Sequence, residues 1–187
     1  MRRLLKLLNL WIALILLAAN GLAWAGAFEP VGPTYPVEPV LEPDLADLRN
    51  RLREGGHSGE KFSLHVTDQE AACSIAWFLS NHPEIPFRDP RISFHPGEVE
   101  AWGVATVAGL RLSIHGRATM TLENGIPVAR LTDLGVAGAP VPGFVLEAIQ
   151  DEFYRQVDLS SRPMPVAFET LELREGEAVA SGIIRAD

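Results

Sequence analysis

Apolar and polar positions alternate with hardly a fault along GLRLSIHGRATMTLENG, Gly109 to Gly125. Leu110, Leu112, Ile114, Gly116, Ala118, Met120 and Leu122 share one parity. Arg111, Ser113, His115, Arg117, Thr119, Thr121 and Glu123 share the other. Period-two alternation predicts a strand with one dry and one wet face. At about 3.4 Å per residue the strand spans on the order of 40 Å, roughly twice an ordinary strand. So long a dry strip needs a cover, either the protein's own helices or something from outside.

Neighbouring segments repeat the theme. RISFH alternates through Ile92 and Phe94, Pro96-Gly97 predicts a turn, and EVEAWGVATV continues as a strand apolar on both parities. Asn124-Gly125 carries the signal of a type I′ hairpin, whose central residues both take positive φ, and PVARLTDLGV returns. Upstream, KFSLHV alternates through Phe62, Leu64 and Val66. At the other end, PMPVAFETLELREGEAVASGII predicts a hairpin turning at Glu175-Gly176, and a parity switch near Thr170 predicts a bulge.

Three stretches change to helical spacing. LADLRNRLRE puts Leu45, Leu48 and Leu52 on one face, with Asp44 the expected cap and Gly55-Gly56 the stop. Thr67-Asp68-Gln69-Glu70 is a capping box that starts a helix through QEAACSIAWFLSNH, ended by Asn81 and Pro83. After GAPVPG, Phe144, Val145, Ala148, Ile149 and Phe153 form one apolar face of a further helix, beside Leu146 and Tyr154.

The amino terminus is of a different kind. Arg2, Arg3 and Lys6 precede LLNLWIALILLAANGLAWA. Positive charge ahead of an apolar run predicts that the rest of the chain crosses the membrane. Ala23-Trp24-Ala25 behind Gly21 fits a cleavable signal peptide, and residues 4–27 are also long enough for an uncleaved single-pass anchor. Both readings place the following domain outside the cytoplasm, membrane-bound in one case and released after Ala25 in the other. Prolines 30, 33, 36, 39 and 43 then predict an extended, stiff spacer. The expected organisation is a membrane or signal segment over 1–27, a proline-rich linker over 28–43, and one domain over 44–187.

Composition narrows the function. The 187-residue chain carries a net charge of −8 and no basic cluster beyond its first six residues. That argues against nucleic acid, which needs a Lys/Arg footprint. The single cysteine, Cys73, can form neither an internal disulfide nor a zinc site by itself and is expected as a buried thiol. Histidines 57, 65, 82, 95 and 115 fall in no metal-ligand motif, and His65, His95 and His115 are expected as solvated strand residues. No nucleophile elbow, phosphate loop or dinucleotide fingerprint occurs. No cofactor is expected, and the reading is non-catalytic.

The order of these elements resembles the tubular lipid-binding (TULIP) superfamily in its small, membrane-anchored bacterial form. The likeness covers roughly Phe62 to Ile184. It rests on FSLHV running into TDQEAA, the long meander, LGVAGAPVPGFVLEAI, and the ending Leu171-x-Leu173-x-x-Gly176-x-x-Val179-x-x-Gly182. Where that family usually carries a polar residue in the first helix, this chain has Ala71, Ala72 and Cys73. The resemblance implies an α+β fold: one long, curved antiparallel sheet of about five to seven strands wrapped on two main helices. The expected function is an extracytoplasmic domain holding a lipid or other apolar ligand near the membrane. Parity and helical face nominate Trp77, Phe78, Leu112, Ile114, Met120, Phe144 and Ile149 as its lining. The alternative is an envelope scaffold with a filled core that binds another protein.

Overall fold

The structure, a computed structural model, describes residues 32–107, 109–143, 147, 150 and 165–185. The membrane or signal segment lies outside the described residues, and so does the helix expected from Phe144 to Tyr154 except for Glu147 and Gln150. No helix among the described residues is long and apolar enough to cross a membrane.

The chain is α+β. In order come α1 (Pro43–Glu54), β1 (Lys61–Thr67), α2 (Asp68–Asn81), β2 (Phe87–His95), β3 (Glu98–Val107), β4 (Leu110–Glu123), β5 (Ile126–Val136), β6 (Ala139–Pro140), β7 (Val166–Arg174) and β8 (Glu177–Ile184). Strands β2 to β6 form a five-stranded antiparallel meander, and β1, β8 and β7 form a three-stranded antiparallel sheet with β8 in the middle. In place of the single sheet of five to seven strands, the described residues form two sheets, of five and three strands. The reason lies in what β1 and β7 pair with. Both take β8 as their partner, so the closing hairpin completes the sheet of β1 and does not extend the meander past β6. The two sheets touch through turns: the Gly176 N–H donates to Phe94 O at 3.0 Å, and the Phe168 N–H donates to Gly125 O at 3.0 Å.

Local chemistry sets the elements. The long alternating stretch is one 14-residue strand, β4. Asn124 and Gly125 take φ of 53° and 78°, which is the geometry of the predicted hairpin turn. The Thr67–Glu70 capping box is present and starts α2 directly at the end of β1. The register shift between Phe168 and Thr170 on β7 is the expected bulge. One start differs. Helix α1 begins at Pro43, and its cap is Glu42, whose carboxylate accepts the Asp44 and Leu45 N–H groups at 2.9 and 2.8 Å. Proline suits the first helical position because its missing N–H is unneeded there. This moves the cap two residues ahead of Asp44.

Two cores result. Helix α1 covers the three-stranded sheet through Leu48, packed with Phe62, Leu64, Val166, Ala180 and Ile184. Helix α2 lies mainly on β2. Its Ala72, together with Ile92, Phe94 and Leu173, gathers Val99, Ala101 and Met120 from the meander and Ala178 from β8.

The proline-rich segment differs from a free spacer over its described part. Residues 32–42 run extended along the domain and are tied to it. Tyr35 Oη accepts the Ile92 N–H at 2.8 Å and donates to Ile92 O at 2.7 Å. Gln69 Nε2 donates to Pro36 O at 3.1 Å, the Glu38 N–H reaches Cys73 Sγ at 3.4 Å, and the Glu42 N–H donates to Ser74 Oγ at 3.1 Å. Edge strand β2 offers unpaired backbone groups that a neighbouring residue must satisfy, and Tyr35 takes that place. Burial of the ring pushes the Tyr35 phenol above its ordinary value of 10.0.

Candidate functional site

The dry face of β4 meets small residues on β3: Leu112 stands opposite Ala105, Ile114 opposite Gly103, and Gly116 opposite Ala101. On its other side Ile114 faces Val136 and Gly116 faces Leu134. A bulge follows, because the β4–β5 register shifts between Arg117 and Ala118. The room left by Gly116 is partly taken from the neighbouring strand, since a methyl group there would sit 3.5 Å from Leu134 Cδ1. Met120, farther along, packs into the α2 core, whereas Leu112, Ile114, Leu134 and Val136 are half-buried and, among the described residues, belong to neither core.

The nominated lining residues do not come together as one group. Leu112, Ile114 and Met120 share the face of β4. Trp77 turns toward α1, where the Arg49 guanidinium carbon stands 5.0 Å from its ring centroid. Phe78 is 46% exposed and rests on the His82 ring at 4.3 Å. Helix α2 presents Ala72 and Ile75 to the sheet, which leaves its aromatic residues on other faces. Phe144 and Ile149 lie outside the described residues.

On the wet face of the same strands a polar cluster stands that the alternation pattern does not reveal. Trp102 and His115 are cross-strand partners with rings stacked at 5.1 Å and 19°. Arg117 Nε donates to Glu100 Oε1 at 2.7 Å, and its Nη2 reaches the same oxygen. This pairing raises the Arg117 guanidinium further above its ordinary value. Glu100 Oε2 lies 4.0 Å from His115 Nε2, which is buried and has no hydrogen-bond partner. Beside the cluster opens a cleft of about 460 Å³, lined by these residues, Ser113, Asp133 and the Gly138–Pro140 hairpin. The available signal was Trp102 itself, an indole at a wet-parity position beside Glu98 and Glu100.

The other strand histidines also have acidic partners. His65 Nε2 and Glu177 Oε2 are 2.7 Å apart, and His95 Nδ1 and Glu175 Oε2 are 3.2 Å apart. The hydrogen bond that His65 donates to Glu177 raises His65 above 6.5, and the same contact lowers Glu177 below 4.5. These pairs flank the turn whose Gly176 bonds Phe94 O and accepts the Asp68 N–H at 3.1 Å. Among the described residues, no group of three or more His, Cys, Asp or Glu is placed to hold a metal ion.

The arrangement is an apolar row on one face of the sheet and, on the other, a stacked indole beside an ion pair. No protein-family model, curated protein or solved structure matches the chain.

Proposed function

We propose that the protein is a non-catalytic, TULIP-like domain that holds a lipid or other apolar ligand outside the cytoplasm, tethered near a membrane by its N-terminal segment. The observation that carries this reading is the half-buried apolar row Leu112, Ile114, Leu134 and Val136, which neither core absorbs among the described residues. Burial of one methylene is worth about 0.8 kcal/mol. An acyl chain laying eight methylenes along such a row gains roughly 6 kcal/mol before the cost of ordering it. The curved, wrapped form of the meander belongs to this reading, since a curved sheet encloses a chain that a flat one leaves exposed.

The test is organic extraction and native mass spectrometry of the full chain, with Ile114→Asp as the comparison and circular dichroism as the control for folding. The reading expects a co-purifying species of lipid mass that the folded variant loses. A clean mass that stays clean after incubation with membrane lipids contradicts it.

A second reading, an envelope scaffold with a filled core, draws support from the way α2 fills the strip at Met120 and leaves Phe78 on the surface. Isolated exposed aromatics are ordinary on protein surfaces, which is why this reading stands second.

A further inference from the structure

Arg88 and Arg91 stand three positions apart on β2, a spacing that puts side chains on opposite faces of a regular strand. The β2–β3 register shifts between them. Arg88 pairs with Val104 and Arg91 with Trp102, two positions apart on β3, so the shift returns both arginines to one face. Asp89, inside the irregularity, takes φ of 54°, a conformation that Asp accepts more readily than most residues. Irregularities of this kind re-aim side chains and recur beside functional sites. Both arginines line a cleft of about 320 Å³ between β2, α2 and the N-terminal arm, whose apolar wall includes Val37, Ala76 and Leu79.

Neutral acceptors hold the two guanidinium groups in place. Arg88 Nη1 donates to Ile85 O at 2.8 Å and to Phe87 O at 2.6 Å, and its Nη2 donates to Pro83 O at 3.4 Å. Arg91 Nη1 donates to Tyr35 O, and its guanidinium carbon stands 5.5 Å from the Tyr35 ring centroid. Carbonyls fix the position of a guanidinium without cancelling its charge. The nearby carboxylates are engaged by other cations and rings: Asp89 pairs with Arg111 at 3.5 Å, and Glu84 with His82 at 3.0 Å. Among the described residues, neither Arg88 nor Arg91 has a carboxylate partner. Nε of each arginine and Nη2 of Arg91 likewise have no acceptor among the described residues. Such donor pairs are the ones with which arginine grips an oxyanion.

We propose that this cleft binds a phosphate group, gripped by Arg88 and Arg91, with the apolar wall of α2 and the arm facing whatever the phosphate is attached to. Phosphate suits the site better than a carboxylate, because its several oxygens serve two arginine forks at once. The volume lies at the small end of ligand pockets, which run about 300–1,000 Å³. The net charge of −8 does not oppose this at physiological salt, where exposed charges are screened beyond about 8 Å. None of the residues lining the cleft belongs to β4 or β5, so the site stands apart from the apolar row and does not depend on a ligand there. Free phosphate and the phosphodiester of a lipid headgroup share this chemistry.

Phosphorus-31 line broadening tests the proposal, using the full chain at fixed pH in a phosphate-free detergent. Inorganic phosphate is one probe, and glycerophosphoglycerol, the deacylated headgroup of an anionic phospholipid, is the other. Saturable broadening is expected for at least one. Saturation by inorganic phosphate alone assigns the site to the free ion, and saturation by the diester assigns it to the headgroup. Arg88→Gln should weaken binding about tenfold, the scale of one hydrogen bond to a charged group. Arg88→Lys, which keeps the charge and loses the fork, should weaken it as well. Arg53→Gln, which removes an equal charge from the exposed end of α1, should leave it unchanged. If Arg88→Gln does not fold by circular dichroism, Arg91→Gln decides by the same criterion. Absence of saturable broadening with both probes overturns the proposal. So does undiminished binding in a folded cleft variant, or an equal loss in Arg53→Gln.

Discussion

Gly182 sits where β8 passes between two phenylalanines, and its missing side chain is what lets them approach. Phe62 on β1 and Phe168 on β7 are its cross-strand partners, and their rings meet edge-to-face at 5.4 Å and 89°. A methyl group on Gly182 would fall 2.2 Å from Ala167 O and 2.9 Å from Phe168 Cα. Backbone atoms cannot swing aside, so Gly182→Ala is expected to lower stability by about 3 kcal/mol in urea denaturation, at the upper end of overpacking costs; a loss under roughly 0.5 kcal/mol would contradict this packing. His65 gives a prediction with a sign. Its folded value lies above 6.5, so its contribution is full below 6.5 and disappears as pH rises through the raised value. Glu177 lies below 4.5, so its contribution is full above 4.5 and disappears as pH falls through the lowered value. The pair is strongest between these limits. The Tm difference between wild type and His65→Gln should be larger near pH 5.5 than near pH 8.5, and an equal difference at both refutes the pairing. At this scale the sequence was readable where the cause was local. The Asn124-Gly125 turn, the Thr67–Glu70 box and the shift at Thr170 each depend on a few adjacent residues. Trp102 and His115 escaped because their meeting depends on the β3–β4 register, which alternation alone does not fix.

Among the elements, the arm over residues 32–42 departs furthest from its sequence pattern. Prolines at nearly every third position predict the extended path correctly, yet nothing in their spacing says that the path is docked. Tyr35 makes the difference by supplying a hydroxyl to both backbone groups of Ile92 on the edge of the meander. Tyr35→Phe leaves those two partly buried groups without that partner and should cost about 1–2 kcal/mol. It should also expose the arm to proteases. Unchanged stability and unchanged cleavage would mean that the arm is held by its other contacts alone. Helix α2 teaches a related lesson. Its capping box announces its start, but the composition AACSIAWF allows several apolar faces. Contact with β2 selects the Ala72–Ile75 side and leaves Trp77 to Arg49 and Phe78 to solvent. The pairing of β1 with β8, 112 residues apart at His65 and Glu177, was likewise beyond local pattern, and it is why two sheets stand where one was expected.

Among the described residues, the two cores draw apolar side chains from both helices and both sheets. They stop short of one end of the long strand. There Leu112 and Ile114 on β4, with Leu134 and Val136 on β5, form the row on which the proposed function rests. The most direct test is position-resolved photolabelling of the full chain in vesicles, using a phospholipid with a diazirine at the end of one acyl chain. The account predicts cross-links on the peptides carrying Leu112–Ile114 and Leu134–Val136, suppressed by excess unlabelled lipid. Labelling confined to the apolar segment of residues 4–27, with none on β4 or β5, would contradict it.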